Sequence, residues 1–242
     1  MSKRVPRLMP IAALLAVGAL LVSGCSEQQE APKRTPVPSE NAASRTLGPA
    51  LTVPELKAVA FKEGEVPQAR STPLSVPEPE GSGRTFPPAS DPNCQTIIEV
   101  GNGVEAPSRI RQGFNWKESA FPGSSHLASY QGEAAEQQFA KLEQALASCR
   151  AYTREGYSGK ISATVEVETA PQVGDEAVSF RELIPTASDS ASDSATNEAQ
   201  YVIVRVGNTI VMFTTMEVGT RASFPDEVIR QQVKRLQAAQ RT

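Results

Sequence analysis

The sequence is poor in the side chains that enzymes use most often. Its 242 residues contain one histidine, His126, and one tryptophan, and aromatic residues make up only 5% of the chain. The motifs G-x-S-x-G, H-E-x-x-H and C-x-x-C and the phosphate-binding P-loop are also absent. We therefore expect no enzymatic activity and assign no catalytic residue.

Two weaker catalytic interpretations stay open. His126 follows Ser124 and Ser125, but sequence neighbours form a catalytic pair only when the fold gives them the right geometry. We expect His126 instead to begin a strand at the surface. Glu166 and Glu168 lie on one face of a predicted strand, where two carboxylates can act as general acid and base. Acids that alternate with valines are also typical of a solvated sheet face, and we favour that interpretation.

The chain also lacks a hydrophobic run long enough to span a membrane. Its apolar stretch from Ile11 to Val22 is about a dozen residues, whereas a spanning helix needs about 20. Three basic residues precede it, and the chain turns polar immediately after Cys25. A basic start, a short apolar run and small residues are the layout of a secretory signal peptide.

The end of this run, Leu21-Val22-Ser23-Gly24-Cys25, resembles the bacterial lipobox. The resemblance implies that residues 1–24 are removed and that Cys25 becomes an N-terminus modified with lipid such as palmitate. One acyl chain binds a bilayer marginally, but two or more anchor a protein stably. An uncleaved signal anchor is the alternative. We expect a lipoprotein held on the extracytoplasmic face of the cell membrane.

The charge balance argues against nucleic acid as a partner. Without the three cations of the leader, 21 basic residues face 27 acidic ones, a net charge of −6. Nucleic-acid binding rests on a basic surface, and so does electrostatic attachment to anionic lipid. The expected partners are therefore the membrane, through the lipid on Cys25, and an unknown extracellular ligand or envelope protein.

Proline and polar residues dominate the segment that follows Cys25. Residues 25–50 show no apolar periodicity, so we predict a flexible tether that reaches about 25–30 Å from the membrane. Residues 51–242 carry the periodic segments and are long enough for a single domain with its own core.

Only three cysteines are present, and the lipobox accounts for one of them. In an exported protein the remaining pair, Cys94 and Cys149, predicts a disulfide. A reactive pair of free thiols is the rival interpretation. A metal site is disfavoured because the two cysteines are far apart and His126 is the only histidine that could join them. We expect neither a metal nor a cofactor.

Hydrophobic periodicity predicts an α+β domain with a mainly antiparallel sheet of about six strands and helices packed on it. The two central strands, which begin at Tyr201 and Thr209, are apolar on both faces. We therefore expect other elements to cover both faces of the sheet. Arg205 interrupts this pattern and needs either a partner or an exposed end. The predicted helices span about 52–60, 91–101, 133–149 and 223–241, and the predicted strands span 109–117, 126–131, 160–168, 176–184, 201–206 and 209–218.

The segment 185–199 consists almost entirely of Ser, Asp, Ala and Thr and contains a tandem copy of Ala-Ser-Asp-Ser. We predict a disordered loop lengthened by a small duplication. Calcium binding by its aspartates is disfavoured because the glycine and terminal glutamate of a calcium loop are missing.

Phe114 and Trp116 share one face of the strand predicted at 109–117. Such a pair is typical of a hydrophobic core. It also makes the two residues candidates for the lining of a pocket, because ligand clefts favour aromatic walls.

Several short segments of the chain, taken together, form a family pattern. They are Leu51-Thr52 with Glu55-Leu56, a proline-rich stretch before the helix of Cys94, a strand ending at Tyr130 before the helix of Cys149, Gly174-Asp175-Glu176, and Val204-Arg205-Val206-Gly207. This pattern resembles that of the PknH-like extracellular sensor domains, a family named for an actinobacterial serine/threonine kinase. The likeness implies a one-domain α+β module outside the cell that senses or binds something, and it assigns no ligand residues. The family pattern can carry two disulfides, whereas this chain has cysteines for one.

The sequence therefore favours a non-enzymatic, lipid-anchored extracytoplasmic module that binds a ligand or acts as a sensor. A structural or accessory envelope lipoprotein is the first alternative, and an envelope enzyme is the second. A concave apolar pocket favours the binding module, whereas a flat apolar patch favours the accessory protein.

Overall fold

The computed structural model describes residues 49–78, 87–156, 159–186 and 196–241. All of them belong to one compact unit, Arg45–Thr242, and they form four helices and nine strands. The predicted signal peptide and nearly all of the tether lie outside the described residues. The helices are α1 Val53–Val59, α2 Pro92–Asn102, α3 Ala134–Ser148 and α4 Asp226–Ala239; the strands are β1 Ala69–Ser71, β2 Leu74–Ser75, β3 Ser108–Trp116, β4 Gly123–Ser129, β5 Ala151–Gly156, β6 Gly159–Glu168, β7 Glu176–Pro185, β8 Thr196–Val206 and β9 Thr209–Val218.

The nine strands form a single sheet in the order β1-β3-β4-β9-β8-β7-β6-β5, with β2 also paired to β3. Every pairing is antiparallel. The predicted α+β class with an antiparallel sheet is therefore confirmed, whereas the predicted number of about six strands is wrong. The three additional strands, β1, β2 and β5, are the short ones at the two edges of the sheet.

Helices cover both faces of the sheet, as the apolar character of β8 and β9 predicts. On one face, which we call the α1/α4 face, residues such as Phe114, Val204 and Phe213 pack beneath α1 and α4. On the opposite face, the α2/α3 face, Ile203 and Ile210 pack beneath α2 and α3. Burial of alternate residues on opposite faces makes these two strands the centre of both cores.

Helix α2 is positioned by its caps and by a close approach to the sheet. The Asp91 carboxylate accepts hydrogen bonds from the backbone N–H groups of Asn93 and Cys94, and Gly103 ends the helix in the left-handed conformation (φ 63°). A Cβ on Gly101 would lie 2.6 Å from the Sδ atom of Met212 on β9. The glycine therefore lets α2 lie directly on the sheet.

The predicted disulfide is confirmed. Cys94 in α2 is bonded to Cys149, which directly follows α3, and both residues are almost completely buried. The bond joins the two helices that cover the same face of the sheet.

Two arginines form ion pairs, one partly buried and one buried. Arg205 is partly buried and pairs with Glu176 and with Asp175, so of the two alternatives that the sequence left open it has a partner. Arg181, which is only 4% exposed, pairs with Glu168 and Glu198 and donates a hydrogen bond to the backbone carbonyl of Ala222. The interpretation of Glu168 as part of a solvated sheet face is therefore wrong, because Glu168 pairs with a buried arginine.

Several predicted boundaries move. Strand β4 begins at Gly123 rather than at residue 126, and the segment 185–199 is shorter than predicted because Pro185 pairs with Thr196 and Asn197 pairs with Val218. The tandem copy lies outside the described residues. The last helix was predicted to begin near residue 223, but it begins at Asp226, with Pro225 in the N-cap position.

None of the helices in the described part of the chain is both long and apolar enough to cross a membrane.

Candidate functional site

A groove of about 250 Å³ opens on the α2/α3 face of the sheet. Residues of α2 form one wall, alternate residues of β3, β4, β9, β8 and β7 form the floor, and β5 contributes the other wall. The lining residues are Ile97, Ile98, Asn102, Arg111, Ser124, His126, Tyr152, Arg154, Phe180, Glu182, Tyr201, Met212 and Thr214.

Strand register brings the floor residues together from distant parts of the sequence. His126 lies opposite Met212, and Ser124 lies opposite Thr214, which in turn lies opposite Tyr201. The small side chains of Ser124 and Thr214 leave room between the larger ones. The rings of Tyr201 and Phe180 stack with their centroids 4.8 Å apart. The floor is therefore partly aromatic and partly polar, as in many small-molecule sites.

One carboxylate lies inside the groove, and two tyrosines bind it. The Tyr152 hydroxyl donates to Oε1 of Glu182 at 2.6 Å, and the Tyr201 hydroxyl donates to Oε2 at 3.0 Å. Burial, followed by the Glu182 charge, raises the pKa of both tyrosines well above the usual value. Both phenols therefore stay protonated and act as hydrogen-bond donors at neutral pH.

Two arginines also line the groove. Arg154 lies beside Tyr152 and Glu182, and its Nε atom is buried without a hydrogen-bond partner among the described residues. The side chain of Arg111 is exposed and forms no ion pair with any residue that the structure describes. A buried donor without a partner is uncommon in folded proteins and is satisfied when a ligand acceptor binds it.

His126 does not begin a surface strand, as the sequence suggested, but lies in the middle of β4 and faces the groove. Burial, with a smaller contribution from the Arg111 charge, lowers the pKa of the imidazole from 6.5 to about 4. His126 is therefore neutral at pH 7. It can donate one hydrogen bond and accept another, but it is a weak base.

The stability of the protein should depend on pH through this imidazole. The unfolded chain protonates His126 near pH 6.5 and the folded chain only near pH 4, so the unfolded state binds more protons between these values. We expect this group to lower the free energy of unfolding by up to about 3 kcal/mol as the pH falls from 6.5 to 4. Urea unfolding at several pH values measures the loss, and His126→Gln should lack it. Parallel stability curves for the two proteins would contradict the assignment.

Phe114 and Trp116 lie on the α1/α4 face and do not line the groove. Phe114 is fully buried, and the two rings stack with their centroids 5.2 Å apart. The indole N–H of Trp116 donates to the Oγ1 atom of Thr215 at 3.3 Å. The structure therefore places this pair in the core, and the concave surface of the domain lies on the opposite side of the sheet.

Gly123 provides a test of the packing around Trp116. A Cβ at residue 123 would lie 2.7 Å from the indole ring of Trp116. Because the ring is rigid, either the whole ring or the strand would have to shift. We expect Gly123→Ala to lower the free energy of unfolding by about 1–3 kcal/mol and to change the emission of the single tryptophan. Gly113→Ala on the neighbouring strand β3 is the control, because its φ is not in the left-handed region and its Cβ would lie no closer than 3.3 Å to another atom, the Cγ of Pro73. Equal effects of the two substitutions would contradict the packing described.

A smaller cavity of about 120 Å³ lies between α2 and α3. Several of its polar groups are already partnered, since Gln138 donates to Glu105 and the Glu105 carboxylate lies 4.0 Å from the Lys141 ammonium. Burial, then the Glu105 charge, raises the pKa of Tyr130 to about 12. We favour the larger groove as the site, because it has twice the volume and its lining includes a buried donor without a partner.

Cys25 and the tether lie outside the described residues, so the lipid attachment stays a prediction. Glu166 and Glu168 do not line the groove. No group of three or more His, Cys, Asp or Glu residues within the described ranges could hold a metal ion.

Tyr152, Arg154 and Glu182 were not predicted from the sequence as site residues. One signal was available, because Tyr152 and Arg154 alternate in β5 as the inward residues of a strand do. No periodicity marks Glu182, since a single acid within an apolar strand is equally consistent with an exposed position.

Comparison with known proteins supports the fold. No family model and no curated protein matches the chain. Among solved structures, the extracellular domain of PknH from Mycobacterium tuberculosis matches with a TM-score of 0.52 at 11% identity, over 80% of this chain and 98% of that chain. This chain shares the fold of that domain. A second match, an uncharacterised protein of Mycobacterium smegmatis (the Rv0999 ortholog), has 16% identity and a TM-score of 0.34 over 78% of this chain and 95% of that chain.

The match confirms the PknH-like fold that the sequence resemblance implied. At 11% identity it concerns the backbone arrangement alone. The groove residues are therefore interpreted from their own chemistry.

Proposed function

We propose that this protein is a lipid-anchored, non-enzymatic binding module of the sensor type, held on the extracytoplasmic face of the cell membrane. Its ligand would occupy the groove on the α2/α3 face. The observation that carries the proposal is the concave, partly aromatic floor of this groove, with hydrogen-bonding groups placed around it.

Three further observations support the proposal. The lipobox-like sequence ending at Cys25 supports attachment by lipid and export. A disulfide between Cys94 and Cys149 is typical of proteins in oxidising compartments. The fold is shared with a domain described as extracellular. Residues 25–50 would then serve as the tether between the membrane and a domain that begins near Leu51.

A binding role also agrees with the chemistry of the groove. The hydroxyls of Tyr152 and Tyr201 are protonated donors to Glu182, and His126 is a weak base because of its low pKa of about 4. His126 can donate one hydrogen bond to a ligand and accept another, whereas both tyrosine O–H groups already donate to Glu182. Neither His126 nor the two tyrosines have the pKa near 7 that a general base at neutral pH needs.

A neutral fluorescent probe tests whether the groove is a binding site. N-phenyl-1-naphthylamine brightens in apolar surroundings, and we expect it to bind the wild-type protein saturably at one site. Thr214→Trp fills the floor between Ser124 and Tyr201 and should weaken this binding by about tenfold or more. Fluorescence titration measures both affinities.

The matched control is Glu166→Trp, which adds the same side chain at an exposed position of β6. It should leave the affinity for the probe unchanged. Equal affinity in Thr214→Trp and the wild type would place the probe elsewhere and would overturn the groove as the binding site.

A further inference from the structure

The lining of the groove has a more positive net charge than the protein as a whole. Its charged lining groups are Arg111, Arg154 and Glu182, and His126 is neutral at pH 7. The lining therefore has a net charge of about +1 at pH 7, whereas the whole sequence has a net charge of −3. The packing of the core does not require Arg111, because its side chain is exposed.

Glu182, the one acid that lines the groove, already has hydrogen-bond donors on both carboxylate oxygens and a positive charge beside it. Each carboxylate oxygen of Glu182 accepts a hydrogen bond from a tyrosine, and the guanidinium of Arg154 lies nearby. An incoming ligand therefore meets little exposed negative charge. Because Arg154 balances the charge of Glu182, the net positive charge of the lining comes from Arg111.

The two arginines have different positions and therefore different roles. Arg154 is half-buried and its Nε–H is a buried donor without a partner among the described residues, so it is placed to bind an acceptor inside the groove. Arg111 is exposed, and its guanidinium can attract a negative charge from solution. Charge-assisted hydrogen bonds to a guanidinium are stronger than bonds between neutral groups.

Much of the remaining lining is apolar. The stacked rings of Phe180 and Tyr201, the thioether of Met212 and the side chains of Ile97 and Ile98 surround the same space. Flat apolar molecules pack well against stacked rings and against methionine.

We propose that the ligand is a small amphiphilic anion, with a flat apolar body that packs between Met212 and the Phe180–Tyr201 pair and an anionic group that binds Arg154. This inference rests on the proposed binding role of the groove and adds the chemical class of the ligand. Arg111 raises the local concentration of the anion.

A pair of probes with the same ring skeleton tests the charge preference. N-phenyl-1-naphthylamine is neutral, and 1-anilinonaphthalene-8-sulfonate carries one negative charge. At an ionic strength of about 0.15 M we expect the wild-type protein to bind the sulfonate about tenfold more tightly than the neutral probe. The ratio of the two affinities cancels effects on the apolar part of the groove.

Variants that remove one charge each identify the residues that cause the preference for the anionic probe. Arg154→Gln should reduce the affinity ratio to about one, and Arg111→Gln should lower it by a few-fold and weaken its dependence on salt. Arg230→Gln is the matched control and should leave the ratio unchanged. Arg230 is exposed on α4, which covers the α1/α4 face, on the side of the sheet opposite to the groove. Because Arg154→Gln also removes a charge beside Glu182, Glu182→Gln gives an independent test: it should raise the ratio.

The outcomes separate this inference from the function on which it rests. If the neutral probe binds in the groove but the sulfonate binds no more tightly, the anionic class is wrong and the binding site stands. A preference that Arg154→Gln and Glu182→Gln leave unchanged also overturns the inference. If neither probe responds to Thr214→Trp, the binding site itself fails.

Discussion

Replacing both Cys94 and Cys149 with alanine is expected to lower the free energy of unfolding by about 4 kcal/mol at 25 °C. The two cysteines are 55 residues apart, and a cross-link over a loop of this length removes chain entropy from the unfolded state. The bond also joins α2 and α3, the two helices on the groove side. Equilibrium unfolding in urea, followed by circular dichroism, measures the change.

Reduction of the wild-type protein is the matched control for this variant. A reductant should lower the stability of the wild type toward that of the double variant and should not affect the double variant. Since α2 forms a wall of the groove, the variant should also bind N-phenyl-1-naphthylamine more weakly. A loss of less than about 1 kcal/mol would mean that packing alone holds α2 against α3.

Replacing Cys25 with alanine is expected to move nearly all of the protein from the membrane fraction to the soluble fraction. The proposed anchor is lipid on the Cys25 side chain and N-terminus, and the net charge of −6 after Cys25 offers no electrostatic attachment to anionic lipid. Expression in a bacterium that processes lipoproteins, followed by fractionation and immunoblotting, measures the distribution. Mass spectrometry of the wild-type N-terminus should also show acyl chains on Cys25.

The control for this experiment is Ser26→Ala, which changes the next residue and leaves the cysteine in place. It should partition as the wild type does. Membrane association that survives Cys25→Ala would contradict lipid attachment, and an intact residue 1–24 segment in the wild type would favour the uncleaved anchor.

Hydrophobic periodicity and helix-capping residues predicted the longer helices and strands well. The helix predicted at 133–149 becomes α3, whose buried side includes Ala135, Phe139, Leu142 and Leu146. The helix predicted at 91–101 becomes α2, with caps at Asp91 and Gly103. These signals are reliable because they depend on residues within one or two turns of each other. The alternation in β3 likewise gave the correct buried face.

The edge strands were not predicted, for a physical reason. Strands β1 and β2 have three and two residues, too few to show a period. The six residues of β5 do alternate, but Tyr152 is the only large apolar side chain among them, so the alternation is a weak signal for a buried face. Each of the three strands is held by hydrogen bonds to a longer neighbour, β3 or β6, rather than by its own preference. The polar segment around residue 196 behaves similarly, since pairing of Asn197 with Val218 extends β8 beyond the predicted loop.

The sequence by itself determined the class of fold, the pairing of Cys94 with Cys149 and the coverage of β8 and β9 on both faces. Each of these follows from periodicity or from counting residues. Only the tertiary structure decided that Phe114 and Trp116 belong to one core while His126, Tyr201 and Arg154 meet on the opposite face. The groove depends on which residues of distant strands lie opposite each other, and that register is set by long-range pairing between strands.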